Sequence, residues 1–154
     1  MPNEAKSLAL RWLAQRSLSV QELITRLESR GIDADEAQAV ADDLARVGFL
    51  DDQKLAQELV RRALARHEGP RRILQRLVGR GLDRSLISAV MNDLSASQDW
   101  LAIAEPIGQR YDRDNPRERA RLMRRLAREG FPAAVIHRLA GQEGRDDTDG
   151  VEDY

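Results

Sequence analysis

The sequence predicts an all-α protein made of three tandem three-helix repeats, and three observations carry that expectation. The chain is similar to itself. Arg26, Leu27, Arg30, Gly31, Asp33, Ala39, Val40, Asp43 and Leu44 recur fifty positions later as Arg76, Leu77, Arg80, Gly81, Asp83, Ala89, Val90, Asp93 and Leu94. A fainter copy follows forty-nine positions on, where Arg125, Leu126, Gly130, Ile136 and Leu139 answer Arg76, Leu77, Gly81, Ile87 and Val90. Self-similarity at a fixed period marks one supersecondary unit used repeatedly, each leaving an apolar face that a neighbour covers, so the molecule is expected to be elongated. Periodicity is the second observation. Leu23, Ile24 and Leu27, then Ile73, Leu74, Leu77 and Val78, recur at helical spacing, and nothing alternates at period two. The third is punctuation. In Gly31-Ile32-Asp33 and Gly81-Leu82-Asp83 the glycine suits a left-handed helix stop, the aliphatic residue folds back, and the Asp caps the next helix.

Nine helices follow in chain order. One is expected over 4–16, with Leu10, Trp12 and Leu13 on its apolar side. Ser19 and Glu22 form a capping box that opens 20–30, and Asp33 with Glu36 resembles a second box opening 34–47. Gly48-Phe49-Leu50-Asp51 repeats the corner before 52–67. Pro70 and Pro116, at first helical positions where a missing N–H costs nothing, open 70–80 and 116–129. Gly81 stops the former, and 84–95 follows. Pro106 falls inside 98–111 and is expected to kink or split it near Ala104. The last helix covers 132–140. The expected repeats are 1–50, 51–96 and 97–142, leaving 143–154 as an acidic tail with too little apolar content to fold.

Composition narrows the class. The 154 residues contain no run of 18 apolar residues and no basic, then apolar, leader at the start, so the reading is a soluble cytoplasmic protein. Without cysteine, disulfides and thiolate chemistry are out. A net charge of −1 conceals a partition. Eight acids lie between Asp33 and Glu58 against Arg46 and Lys54, eight Arg between Arg61 and Arg84 against Glu68 and Asp83, and eight Arg between Arg110 and Arg128 against three acids. The stretch from Glu143 to Tyr154 then has six acids against Arg145. Only Lys6 and Lys54 are Lys among 25 basic residues. A codon bias toward arginine produces that imbalance, and so does selection for bidentate phosphate or carboxylate contacts.

Nothing in the chain converges on catalysis. His67 and His137 have no second His at ligand spacing, and the sequential pairs Asp42-Asp43 and Asp51-Asp52 point to different sides of a helix or cap, so neither a metal nor a cofactor is expected. The glycines are spaced as helix stops rather than as a phosphate loop. Trp12 and Trp100 belong to packing, and aromatics at 4% build no stacking platform for single strands. The arginines are more informative. Arg72, Arg76 and Arg80 share one helical face, and Arg117, Arg121, Arg124, Arg125 and Arg128 cluster on the corresponding helix of the last repeat, opposite Met123 and Ala127. A solvated face is the ordinary reading of a charge run. Uncompensated Arg on equivalent helices raises a polyanion or acidic-partner site beside it.

The string Gly48-Phe49-Leu50-Asp51-Asp52, then Lys54-Leu55-Ala56, Arg61-Arg62, Gly69-Pro70-Arg71-Arg72-Ile73, Leu77 and Arg80-Gly81-Leu82, resembles the RecX family of bacterial recombination regulators. Ala9-Leu10, Leu13, Arg16-Ser17, Ser19, Glu22-Leu23, Leu27 and Gly31 are similar to the family's first repeat, and Leu126, Gly130-Phe131 and Ile136 match more loosely. Pro132 departs from the pattern, and the acidic tail lies outside it. The resemblance implies a curved, modular, non-enzymatic protein, expected to be a monomer. It also implies that the protein lies along the RecA filament on single-stranded DNA and inhibits its ATP hydrolysis, strand exchange and co-protease function. The eight arginines named above are the expected contact residues, with direct DNA contact open. A free-standing DNA-binding helical repeat protein is the alternative.

Overall fold

A computed structural model describes residues 2–141. The expected tail, 143–154, lies outside the described residues. Among those described, every regular element is a helix: α1 (Pro2–Gln15), α2 (Val20–Ser29), α3 (Ala34–Arg46), α4 (Asp52–Ala65), α5 (Pro70–Gly79), α6 (Arg84–Ser97), α7 (Trp100–Gly108), α8 (Pro116–Arg128) and α9 (Ala133–Ala140). Each expected helix is present. Pro106 does not split α7, which runs through Ala104 and stops two residues beyond the proline. A proline this close to the C-terminal end removes one hydrogen bond from the last turn and little else.

The helices end by one device used five times. Gly31, Gly48, Gly81 and Gly130 have φ of 85°, 92°, 74° and 89°. In each corner the glycine N–H and the next N–H return to the finished helix, as when Gly31 N donates to Glu28 O at 3.0 Å and Ile32 N to Leu27 O at 3.1 Å. That is the Schellman pattern, in which two orphan carbonyls are satisfied by a left-handed residue. At the end of α4 the same two bonds form, His67 N to Leu64 O at 3.0 Å and Glu68 N to Ala63 O at 3.0 Å. Here His67 takes the left-handed position at φ 59°. A side chain there costs about 1–2 kcal/mol, of which glycine's unfolded-state entropy takes back about 0.5–1. His67→Gly is therefore expected to stabilise the fold by up to about 1 kcal/mol, read as a higher denaturation midpoint; a midpoint below the parent's would assign the imidazole a packing role.

The described chain divides into two compact units. The first comprises Met1–Arg61 with Leu74–Asp93. Its main core joins α1, α2 and α3 through Ala5, Ala9, Leu18, Ala37, Val40, Ala41 and Leu50, around Leu23, Leu27 and Leu44 at 0% exposure. Burial of each such leucine contributes about 1.5–3 kcal/mol. Trp12 packs against this core, and its ring lies under the guanidinium groups of Arg26 and Arg30, 5.0 and 5.8 Å from the ring centre. Ser19 caps α2 as expected: its hydroxyl accepts from Glu22 N while Glu22 Oε1 accepts from Ser19 N. Asp33 does not act as expected, because it sits at the N-cap of α3 without a side-chain cap bond.

The second unit comprises Arg62–Ile73 with the chain from Leu94 onward. Ala104 and Ile107 of α7, Leu122 and Leu126 of α8, Phe131 of the corner, and Val135, Leu139 and Ala140 of α9 form its core. Trp100 packs beside them, in line with a structural role.

Candidate functional site

α8 is the helix that sequence and packing mark most strongly. Asn115 opens it, with its side-chain oxygen accepting from Arg117 N at 2.9 Å and Glu118 N at 3.4 Å, and Pro116 fills the first position. Leu122 and Leu126 are its buried residues. Met123 and Ala127, expected opposite the arginines, do not define the core side, which is set by Leu122 and Leu126, with Met123 partly buried and Ala127 exposed. At 100° per residue, Arg117, Arg121, Arg124 and Arg128 fall within about 60° of arc, on the side away from those leucines. All four are exposed, and among the described residues none of the four side chains has an ion pair or hydrogen bond. Like charges three and four positions apart cost about 0.2–0.5 kcal/mol per pair. The stripe thus costs the fold stability.

The remaining predicted arginines are engaged within the chain. Arg80 is a strut: its Nε donates to Glu22 Oε2 at 2.7 Å, and its Nη2 donates to Glu22 Oε1 at 3.1 Å and to Ser17 O at 2.8 Å. Its own carbonyl accepts from the Ser19 hydroxyl at 2.6 Å. Arg125 lies 3.5 Å from Glu129, and Arg72 lies 3.9 Å from Glu68, whose side chain is almost wholly buried. Arg76 also interacts within the chain. On the face of α5 drawn from a four-residue spacing, Arg80 is committed to holding the structure together, whereas the buried Nε of Arg72 makes no hydrogen bond.

Around the strut, two carboxylates are tuned in opposite directions. Burial, the largest single influence, pushes the Glu22 carboxyl up, but the Arg80 hydrogen bond, the Ser19 N–H, and the charges of Arg80 and Arg16 together bring it below its ordinary value. Asp52 accepts from Val20 N at 3.0 Å, yet burial and then the charges of Glu22, Asp51 and Asp83 raise it. For Glu22 the depressed pKa means stability present above the unfolded value and lost as pH falls through the folded one. Glu22→Gln keeps the capping box and removes the ion pair. It is expected to cost about 1–2 kcal/mol at pH 7, because a half-buried guanidinium loses its charged partner. The gap to the parent should close as pH drops through the carboxylate range; a cost independent of pH would point to lost packing.

Sequence reasoning missed the exposed apolar residues. Phe49 is 60% and Val47 61% exposed at the α3–α4 corner, where Leu50 rather than Phe49 folds back into the core. On α5, Leu74 and Val78 belong to the apolar stripe of the sequence, yet they are 39% and 59% exposed while Ile73 and Leu77 are buried. A one-position offset turns a residue by 100°, enough to carry it off the core side of a helix this short. Among the described residues no group of His, Asp or Glu is placed to hold a metal, and no helix is long and apolar enough to cross a membrane.

Comparison with known proteins converges on one family. Residues 5–44 match the family model "RecX, first three-helix domain" and residues 51–91 match "RecX, second three-helix domain". A "Regulatory protein RecX" from Halorhodospira halophila (strain DSM 244 / SL1) is 35% identical over 149 residues, covering 94% of this chain and 91% of its own length. Another, from Chromohalobacter salexigens, is 35% identical over 136 residues and covers 86% of this chain and 88% of its own. The fold is shared with the crystal structure of RecX from Lactobacillus salivarius at a TM-score of 0.77 and 17% identity, over 90% of this chain and 93% of that one. With two family models that together match more than half of the chain and relatives aligned over nearly the full length, the chain belongs to the RecX family of regulatory proteins.

Proposed function

We propose that this protein binds RecA nucleoprotein filaments on single-stranded DNA and inhibits RecA ATP hydrolysis, strand exchange and co-protease activity. It thereby restrains recombination and the SOS response from the cytoplasm, acting as a monomer. In this reading the chain is three repeats, 1–50, 51–96 and 97–142, each offering the filament a modest contact, so that avidity along a polymer supplies the affinity. The observation that supports it is the outward arginine stripe of α8 in a chain of this family: four exposed cations without acidic partners among the described residues suit phosphates or an acidic protein surface. The same stripe keeps a second reading in play, a helical repeat protein that binds DNA directly. Titrating the protein into RecA filaments while following ATP hydrolysis, beside binding to bare single-stranded DNA at two salt concentrations, separates them. Filament inhibition with weaker affinity for bare DNA supports the first. Preference for bare DNA with a steep loss in salt, and undisturbed RecA hydrolysis, supports the second.

A further inference from the structure

The α8 stripe faces outward, yet the chain carries its own polyanion within reach. The last described residue, Gly141, follows α9, whose Leu139 carbonyl accepts from Arg113 Nη1 at 3.5 Å; the Arg113 carbonyl in turn accepts from Arg119 Nη1 at 2.9 Å. These two links place the end of α9 beside the first turns of α8, the end that bears Arg117. Beyond Gly141 come thirteen residues, among them Glu143, Asp146, Asp147, Asp149, Glu152 and Asp153 against Arg145 alone. Thirteen extended residues reach at most about 43–47 Å, whereas the thirteen residues of α8 span about 20 Å. The charges balance too, about five net negatives for four positives.

We propose that the segment from Glu143 to Tyr154 occupies the Arg117, Arg121, Arg124 and Arg128 face of α8 as a built-in competitor, so that polyanionic ligands must displace it. The inference rests on the reading of that face as a polyanion-binding surface. A tethered segment of this length acts at millimolar effective concentration, so a contact whose intrinsic Kd lies about twofold to ninefold below that concentration weakens ligand binding about threefold to tenfold. The competition is ionic between exposed groups, and salt at physiological strength or above screens it.

The test uses the full chain with a neutralised tail: Glu143→Gln, Asp146→Asn, Asp147→Asn, Asp149→Asn, Glu152→Gln and Asp153→Asn together. Fluorescent oligo(dT) is the probe. At low salt this variant is expected to bind about threefold to tenfold tighter than the parent, with the advantage shrinking as salt rises. A labelled peptide of residues 142–154, added to the neutralised chain, should bind and should lose that binding when Arg117, Arg121, Arg124 and Arg128 become Gln. Equal or weaker oligo(dT) affinity after neutralisation, or a peptide indifferent to the arginines, overturns the inference while leaving α8 as a ligand face. If neither chain binds oligo(dT) or RecA-coated DNA, the reading of α8 and the inference fall together.

Discussion

Replacing Arg117, Arg121, Arg124 and Arg128 together with Gln is expected to lower inhibition of RecA-dependent ATP hydrolysis by well over tenfold while leaving helicity unchanged. The two halves of that result have separate causes. All four side chains point away from Leu122 and Leu126 and hold no partner among the described residues, so the fold loses nothing when they go. Relief of like-charge neighbours along α8 is worth about 0.2–0.5 kcal/mol per pair, and the variant should melt slightly higher than the parent. In the proposed reading, filament binding would lose several charge-assisted contacts at once, and on a polymer that loss would multiply with each bound unit. Circular dichroism, melting and ATPase titration together decide the matter. A variant that melts as expected yet inhibits as well as the parent would move the contact surface elsewhere, with the acidic block around Asp42, Asp43, Asp51 and Asp52 the next to test.

Gly69→Ala and Gly130→Ala are each expected to destabilise by about 2–4 kcal/mol, among the largest effects of any single methyl in this chain. Within the second unit the start of α5 is seated on the α8–α9 corner through the backbone itself. Gly69 N donates to Glu129 O at 2.7 Å and Arg71 N to Gly130 O at 3.0 Å. A Cβ on Gly69 would stand 2.6 Å from the carbonyl carbon and oxygen of Gly130 and 2.7 Å from Phe131 N. A Cβ on Gly130 would collide with the backbone nitrogen of Arg72 and would sit at φ 89°. Backbone cannot step aside as a flexible side chain can, so the seat must open. Gly79→Ala is the control: nothing lies within 4 Å of its Cβ position, it ends α5, and alanine should be neutral or stabilising by up to about 1 kcal/mol. Denaturation midpoints of all three variants test the contrast. If Gly69→Ala melts with the parent, the close approach of the two backbones is wrong.

What the sequence by itself determined is local. A capping box at Ser19 and Glu22, prolines at the starts of α5 and α8, and glycines two residues past four helix ends act within a few residues of themselves. Helix starts and stops were therefore readable to within about three residues. The repeat and the motif strings were sufficient to reach the family. Tertiary structure decided which charges remain available. Ser19 and Gly69 stand fifty positions apart, and each opens a second helix; one is seated on the Arg80-Gly81 corner through a hydroxyl and an ion pair, the other on the Glu129-Gly130 corner through backbone alone. No spacing rule foretells that Arg80 meets Glu22, because that pairing spans 58 positions and depends on how two corners dock. Arg72, Arg76 and Arg80 share one helical face by their spacing, as Arg117, Arg121, Arg124 and Arg128 do. Periodicity reports only which residues share a helix face, whereas burial and opposite charge brought from elsewhere decide whether that face is bound within the chain or left for a partner.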